Sequence, residues 1–231
     1  MKPKSKLLLL HGALGTQRQF DQLKLELSNK FQLYDLNFEG HGGVDSNNPF
    51  SIHLFAKNVE DYIISNQLNG INIFGYSMGG YVALRLALHN PSLVGQILTL
   101  GTKFNWSPIA AERETKMLIP EKVEEKIPQF AEKLKRDHEP SDWKNIMTKT
   151  ADMMKRMGAG EKINQEEFKQ IKNKVTIGLG SLDNLVTREE SEMVVSELQE
   201  GKLVILDNIP HPIDKADPSI MANYIYESFI K

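Results

Sequence analysis

Three short stretches carry residue types that could do chemistry together. "GYSMGG" (75–80) sets Ser77 among Gly75, Gly79 and Gly80, "GSLDNLV" (180–186) carries Asp183, and "DNIPHPID" (207–214) carries His211. A serine hydroxyl is a poor nucleophile until a base takes its proton, and that base must be held by a third group. Serine, histidine and aspartate can fill those three roles. Gly-x-Ser-x-Gly is also the pattern of a tight strand-to-helix turn, in which side chains at the flanking positions would clash and the serine is driven to the tip. The helix N-terminus behind such a serine favours developing negative charge.

Each residue alone has an ordinary structural explanation. The glycine–serine pattern arises by chance in about one chain in fifteen of this length, and a loop aspartate commonly caps a turn. A histidine beside Pro212 suits a surface loop. Position along the chain decides for catalysis. Ser77 follows the apolar run "INIF", Asp183 follows "KVTIGLG", and His211 follows "KLVILD". Ligands of parallel α/β sheets bind beyond the C-terminal ends of strands, so all three residues belong on one edge. Their order, Ser then Asp then His, is the one associated with this turn. Asp207 is the competing acid, but it stays too close to its own strand end to reach the far side of the imidazole.

Acyl transfer also needs two backbone N–H groups to bind an oxyanion. Met78, directly after the nucleophile, supplies one. "LLLLHGALG" (7–15) supplies the other, with Ala13 as first choice and Leu14 as second, because Gly12 lets the backbone turn towards the serine. His11, at a strand end, reads as a structural hydrogen-bonding residue.

The elements that would position these residues are legible. Six short apolar runs, at 6–10, 31–36, 71–75, 96–100, 174–180 and 202–207, are apolar on consecutive residues, which suits strands covered on both faces. Helical patterns lie between them. Residues 16–29 carry Phe20, Leu23 and Leu27 at helical spacing, and Ser51 can cap a helix through about residue 66. Thr187 with Glu190 makes a capping box, Gly201 stands where that helix stops, and Asp217 with Pro218 opens the last helix. Strand–helix alternation predicts an α/β fold with a mostly parallel sheet of about six strands flanked by helices. Between the fourth and fifth runs some seventy residues have no strand candidate. They predict helices at about 108–118, 121–138, 141–157 and 164–171, with Pro128 bending or breaking the second. The organisation expected is a core of residues 1–101 and 173–231 with a helical cap, 102–172, over the C-terminal edge of the sheet.

Composition excludes several function classes. In 231 residues, 28 Lys and Arg balance 30 Asp and Glu, a net charge of -2, which argues against nucleic acid or an anionic membrane as main partner. The absence of cysteine removes disulfide scaffolds, thiolate metal sites and cysteine nucleophiles together. No clustered metal-ligand pattern appears, so neither metal nor organic cofactor is expected. The four leucines near the N-terminus are too short a run for a secretory signal, and no stretch approaches the roughly 20 apolar residues of a membrane span. A cytoplasmic location, as monomer or homodimer, is the expectation.

"HGALG", "GYSMGG", "GSLDNLV" and the "PH" at 210–211, in that order, resemble the α/β-hydrolase family along nearly the whole chain. "DLNFEGHGGVD" (35–45), with Asp35, Gly40, His41, Gly42 and Asp45, is similar to that family's Asp-x-Pro-Gly-His-Gly-x-Ser loop, although the proline is absent and the loop is longer by about two residues. The resemblance implies eight strands, but this chain begins at the strand before the oxyanion loop, so six parallel strands without an N-terminal hairpin are expected. It also implies a helical cap where the long interval falls. Haloalkane dehalogenases and epoxide hydrolases of this fold use an aspartate nucleophile, and Ser77 argues against both. The menaquinone-pathway lyase group (SHCHC synthase) and the carbon–carbon hydrolases are also similar, yet the lyase group has an arginine where Tyr81 follows Gly80 here. Arg113, Arg136 and Arg156 read as solvated helix faces.

The activity expected is therefore hydrolysis of a small carboxylic ester, with a thioester or amide as less favoured acyl donors. Ser77 is the nucleophile, His211 the base, Asp183 its orienting acid, and Ala13 and Met78 the oxyanion donors. Leu14, Tyr81 and Trp106 are the expected substrate-binding residues, and the cap methionines and tryptophans suggest a pocket for an acyl or aryl group. A lyase or carbon–carbon hydrolase using the same triad, and a ligand receptor on a hydrolase scaffold, are the alternatives.

Overall fold

Leu7, Leu8, Leu9 and Leu10 are all fully buried because their strand is covered on both sides. Leu8 and Leu10 pack into one hydrophobic cluster while Leu7 and Leu9 pack into another, so the period of two distributes consecutive leucines to opposite faces. The computed structural model describes residues 4–230. In it, β1 (Ser5–Leu10) leads through a 3-10 turn into α1 (Asp21–Leu27), β2 (Phe31–Asp35), α2 (Ile52–Ser65), β3 (Ile71–Tyr76), α3 (Met78–His89) and β4 (Val94–Leu100). Five helices follow without a strand: α4 (Pro108–Thr115), α5 (Pro120–Lys126), α6 (Pro128–His138), α7 (Trp143–Gly158) and α8 (Gln165–Phe168). The chain then returns through β5 (Val175–Leu182), α9 (Arg188–Glu197), β6 (Gly201–Pro210) and α10 (Pro218–Ile230).

All neighbouring strands are parallel, in the order β2-β1-β3-β4-β5-β6, as the unbroken apolar runs predict. Residues of α2, α3 and α9 cover one face together with Ile73, Ile97 and Ile177. Residues of α1 and α10 cover the other, with Phe74 and Leu98 beneath them. Ser51 caps α2 as read from the sequence, its hydroxyl accepting from the Leu54 N–H at 3.0 Å. Asp217 likewise accepts from the Ser219 N–H at 2.8 Å at the start of α10.

Several local expectations are corrected. The helix expected over 16–29 is a 3-10 turn (Gln17–Phe20) followed by the shorter α1. Thr187 caps α9, but Glu190 does not reach back to complete a capping box; its carboxylate accepts from the Asn105 N–H instead. The complete box is Asn164 with Glu167, at α8. Gly201 opens β6 rather than ending α9, which stops at Glu197. The helix expected over 121–138 is two, α5 and α6, divided at Pro128, whose ring cannot continue the hydrogen-bond ladder. Arg113 and Arg136 are exposed, whereas Arg156 donates to the Phe50 carbonyl and pairs with Glu161. It fastens α7 to the core.

The inserted helices have a small core of their own, built from Val123, Ala131, Leu134, Trp143 and Met147, against which Leu14 and Leu118 pack. Among the described residues no helix is long and apolar enough to cross a membrane.

Candidate active site

Five strands end at positions that matter. His11 follows β1, Ser77 follows β3, Gly101 follows β4, Asp183 follows β5 and His211 follows β6, each as the first residue past its strand. A parallel sheet gathers these ends along one edge. The sequence-predicted residues therefore converge because of strand direction, before any side-chain interaction is considered.

Ser77 has φ 51 and ψ −116, a conformation sparsely populated by residues with a side chain. The turn is possible because its neighbours lack side chains. A Cβ on Gly75 would lie 2.4 Å from the Gly80 nitrogen, and one on Gly79 would lie 2.1 Å from the Leu10 carbonyl oxygen. With those contacts left open, α3 starts at once behind Ser77 and aims its N-terminus at the serine.

His211 Nδ1 lies 2.8 Å from Asp183 Oδ2, and the aspartate side chain is almost wholly buried. The other oxygen, Oδ1, accepts from the N–H groups of Leu185 and Val186 at 2.9 and 3.0 Å. Burial works to raise the Asp183 pKa, and the hydrogen bonds from His211, Leu185 and Val186 outweigh it, so the carboxyl sits below the ordinary carboxylate range. The carboxylate is thus ionised and its lone pairs face the imidazole Nδ1–H. Asp207, the rival acid, is exposed.

The loop after β1 approaches the same point. A Cβ on Gly12 would lie 3.3 Å from the Ser77 Cβ and 2.9 Å from the Tyr76 ring, so the chain passes there only as glycine. Ala13 follows, and its N–H shares a peptide unit with the Gly12 carbonyl. That carbonyl is held by His11 Nδ1 at 2.9 Å and by the Gly15 N–H at 3.1 Å. His11 Nε2 accepts from the Phe38 N–H at 3.2 Å, which leaves the proton on Nδ1 to donate. His11 is fully buried, and burial lowers its pKa to about 4. It is a neutral structural clamp on the Gly12–Ala13 peptide.

Ser77, His211, Ala13, Met78, Leu14, Tyr81 and Trp106 all line one cavity of about 240 Å³. Its remaining walls are largely apolar: Met117, Leu118, Met153, Met154 and Met157 from the inserted segment and Ile52, Leu185 and Val186 from the core. Tyr81 is less available than its sequence position suggests, because its hydroxyl accepts from the Ile163 N–H at 2.8 Å. Trp106 Nε1 likewise donates to the Lys103 carbonyl at 3.1 Å. Both present ring surface to the cavity.

Several contributing residues escape sequence reasoning. Tyr76 donates its hydroxyl to the His211 carbonyl at 2.8 Å and packs its ring on that imidazole, 5.7 Å between centroids. Gly101, at φ +61, lies under the Asp183–His211 pair. Lys103 and Glu114 form a largely buried ion pair at 3.4 Å in the cavity wall. Gln19 accepts from the Gly12 N–H at 3.0 Å. Only Tyr76 lies in a motif, at a position of "GYSMGG" that the pattern leaves unspecified, and Gly101 is marked only by following a strand. Among the described residues no group of three or more His, Asp or Glu side chains is placed to hold a metal ion.

Comparison with known proteins agrees with this architecture. A model of the alpha/beta hydrolase fold matches residues 6–197. The chain belongs to the α/β-hydrolase fold family. Among solved structures, this family member is similar to 2-hydroxy-6-oxo-6-phenylhexa-2,4-dienoate hydrolase from Rhodococcus sp. strain RHA1, with a TM-score of 0.80 at 18% identity over 99% of this chain and 91% of that one. Among sequences, the protein named "Putative esterase/lipase 2" of Mycoplasma genitalium is 22% identical over 98% of this chain and 89% of its own. Ethanol acetyltransferase 1 of Kluyveromyces lactis is 28% identical over 38% of this chain and 24% of its own length. The chain spans under a third of the length of the acetyltransferase relatives it matches.

Proposed function

We propose that this α/β-hydrolase is a serine hydrolase that cleaves a small carboxylic ester through an acyl-enzyme on Ser77. The observation that carries the reading is the buried, hydrogen-bonded Asp183–His211 pair opening onto the same cavity as a serine on a sharply turned backbone.

In this reading His211 Nε2 takes the Ser77 hydroxyl proton as Oγ bonds to the carbonyl carbon. Asp183 keeps the histidine proton on Nδ1, so that Nε2 can accept, and stabilises the imidazolium that results. The carbonyl oxygen becomes an oxyanion held by the N–H groups of Ala13 and Met78, neither of which donates to another described group. Collapse of the tetrahedral species breaks the bond to the leaving oxygen, which takes the proton from His211. Water then attacks the acyl-enzyme, with His211 again removing a proton, and the acid leaves as Ser77 regains its hydrogen.

The methionine-rich wall supports an acyl or aryl group of moderate size, since thioether side chains adapt to irregular shapes. The names of the relatives fit the same first half-reaction, because ester hydrolysis and acyl transfer to an alcohol share the acyl-enzyme. The inserted helices would act as the cap that sizes the acyl pocket. The test is a series of p-nitrophenyl esters from acetyl to decanoyl, followed from the first turnover. The reading expects a burst of p-nitrophenol equal to the enzyme concentration and one optimum of chain length. No turnover of any member beyond that of Ser77→Ala would remove it in favour of a lyase or carbon–carbon hydrolase.

A further inference from the structure

The turn carrying the second oxyanion donor is strained. Gly15 N–H bonds to Gly12 O at 3.1 Å, which closes a four-residue turn with Ala13 and Leu14 at its centre. Leu14 occupies its third position at φ 57, where turn types of positive φ take glycine or asparagine. A leucine held there needs surroundings that over-determine it.

The core holds the Gly12 side of the turn through His11 and Gln19, and the inserted helices hold the Leu14 side. His138, the last residue of α6, is fully buried. Its Nδ1 lies 3.0 Å from the Gly42 nitrogen and its Nε2 lies 3.1 Å from the Leu14 carbonyl oxygen. A backbone N–H can only donate and a carbonyl can only accept, so the tautomer follows: Nδ1 accepts and Nε2–H donates. The Leu14 side chain packs both on the main core and against the Val123, Ala131, Leu134, Trp143 and Met147 cluster, bridging the two. One imidazole thus ties together the oxyanion turn, the loop at Gly42 and α6.

We propose that His138 is a positioning residue for the oxyanion hole: by holding the Leu14 carbonyl from α6, it fixes the Ala13–Leu14 turn in its strained form and keeps the Ala13 N–H aimed at the developing oxyanion. The oxyanion hole is then complete only while the inserted helices are seated on the core. This rests on the serine-hydrolase reading of Ser77. His138 is distant in sequence from every motif and touches no reacting atom, so its role is exerted through Leu14 and Ala13.

The test compares His138→Asn with His138→Gln, using p-nitrophenyl butyrate and a fluorophosphonate probe. Asparagine keeps an acceptor for the Gly42 N–H but is too short to reach Leu14 O; glutamine carries an amide donor that reaches it. His138→Asn should lower kcat by about 10- to 100-fold with KM nearly unchanged, and should slow labelling in proportion. His138→Gln should recover much of that loss. Equal kcat in a folded Asn variant and the parent overturns the proposal, as does a change carried by KM alone. A folding defect does not shield it, because ¹⁵N spectra of the histidines in the unaltered protein must show His138 protonated on Nε2 and bare on Nδ1; the opposite tautomer also overturns it. A parent that neither turns over esters nor takes the probe instead removes the underlying reading, an outcome distinct from an active parent indifferent to His138.

Discussion

Asp183 Oδ2 faces His211 Nδ1 at 2.8 Å while Asp183 Oδ1 accepts two backbone N–H groups, so both carboxylate oxygens are committed and the side chain cannot rotate away from the imidazole. Asp183→Asn tests what that fixed acceptor does. The asparagine oxygen can keep the Leu185 and Val186 N–H bonds, which leaves its NH₂ towards His211. The ring must then accept on Nδ1 and carry its proton on Nε2, where it cannot receive one from Ser77. A fall in kcat of about 10³- to 10⁴-fold on p-nitrophenyl butyrate, with KM little changed, is expected. Retention of activity to within about ten-fold would mean that the pair is structural only.

Gly101 tests the floor beneath the pair. At φ +61, a side chain costs about 1–2 kcal/mol in backbone strain alone. An added Cβ would also lie 3.1 Å from Asp183 Oδ2 and 3.2 Å from His211 Nδ1. Gly101→Ala should therefore lower both the urea midpoint and kcat, and the activity loss should exceed that of a Gly70→Ala control. Gly70 shares the positive φ, +74, but has open space around it. Equal activity losses in the two variants would assign the effect to strain rather than to displacement of the pair.

Acid should destabilise the fold before it protonates the carboxylates. His11, His41 and His138 are buried, with ring centroids 5.2 Å apart for the first two and 5.7 Å for the last two. Burial lowers the pKa of all three, that of His11 to about 4. The charged groups that bear on the cluster are Asp137 and Lys133, both beside His138. A histidine depressed in the folded state contributes stability that is fully present above its unfolded pKa of about 6.5 and is lost as pH falls towards 4, because the unfolded chain binds protons that the folded chain refuses. His11 alone accounts for a change on the order of 3 kcal/mol across that window. Urea midpoints at pH 7.5, 6 and 5 should fall progressively, and His41→Phe should flatten the fall. A constant midpoint would contradict neutral burial of the cluster.

The cavity wall should set chain length. Met154 is half-buried and lines the cavity with Met153 and Met157, all on α7. Met154→Trp should move the optimum of the p-nitrophenyl ester series to shorter acyl chains, while the burst amplitude stays at one per enzyme. An unmoved optimum would place the acyl group elsewhere.

Much of this was legible in the sequence because a parallel sheet writes itself as unbroken apolar runs. Strand polarity then brings residues that follow strands to one edge, which is how Ser77, Asp183 and His211 could be singled out at 77, 183 and 211. The helical segment between β4 and β5 could be delimited, and its break at Pro128 foreseen, because proline forbids the interior of a helix. Gly101 also follows a strand but carries no reacting group to mark it, and Tyr76, Lys103 and His138 could not be found in that way. Their roles depend on which backbone atoms the tertiary fold sets before them, and no spacing encodes a contact between residues 14 and 138. Thr187 and Glu190 failed for a similar reason: the spacing suits a capping box, but a nearby N–H at Asn105 competes for the carboxylate.

The most direct measurement is covalent labelling with a fluorophosphonate, read by intact mass, in the unaltered protein beside Ser77→Ala and His211→Ala. The reading of Ser77 as an activated nucleophile predicts one adduct on the unaltered protein, located to the peptide containing Ser77. It predicts none on Ser77→Ala and labelling slowed by orders of magnitude on His211→Ala. No adduct on the unaltered protein, or an adduct that persists in Ser77→Ala, would contradict it.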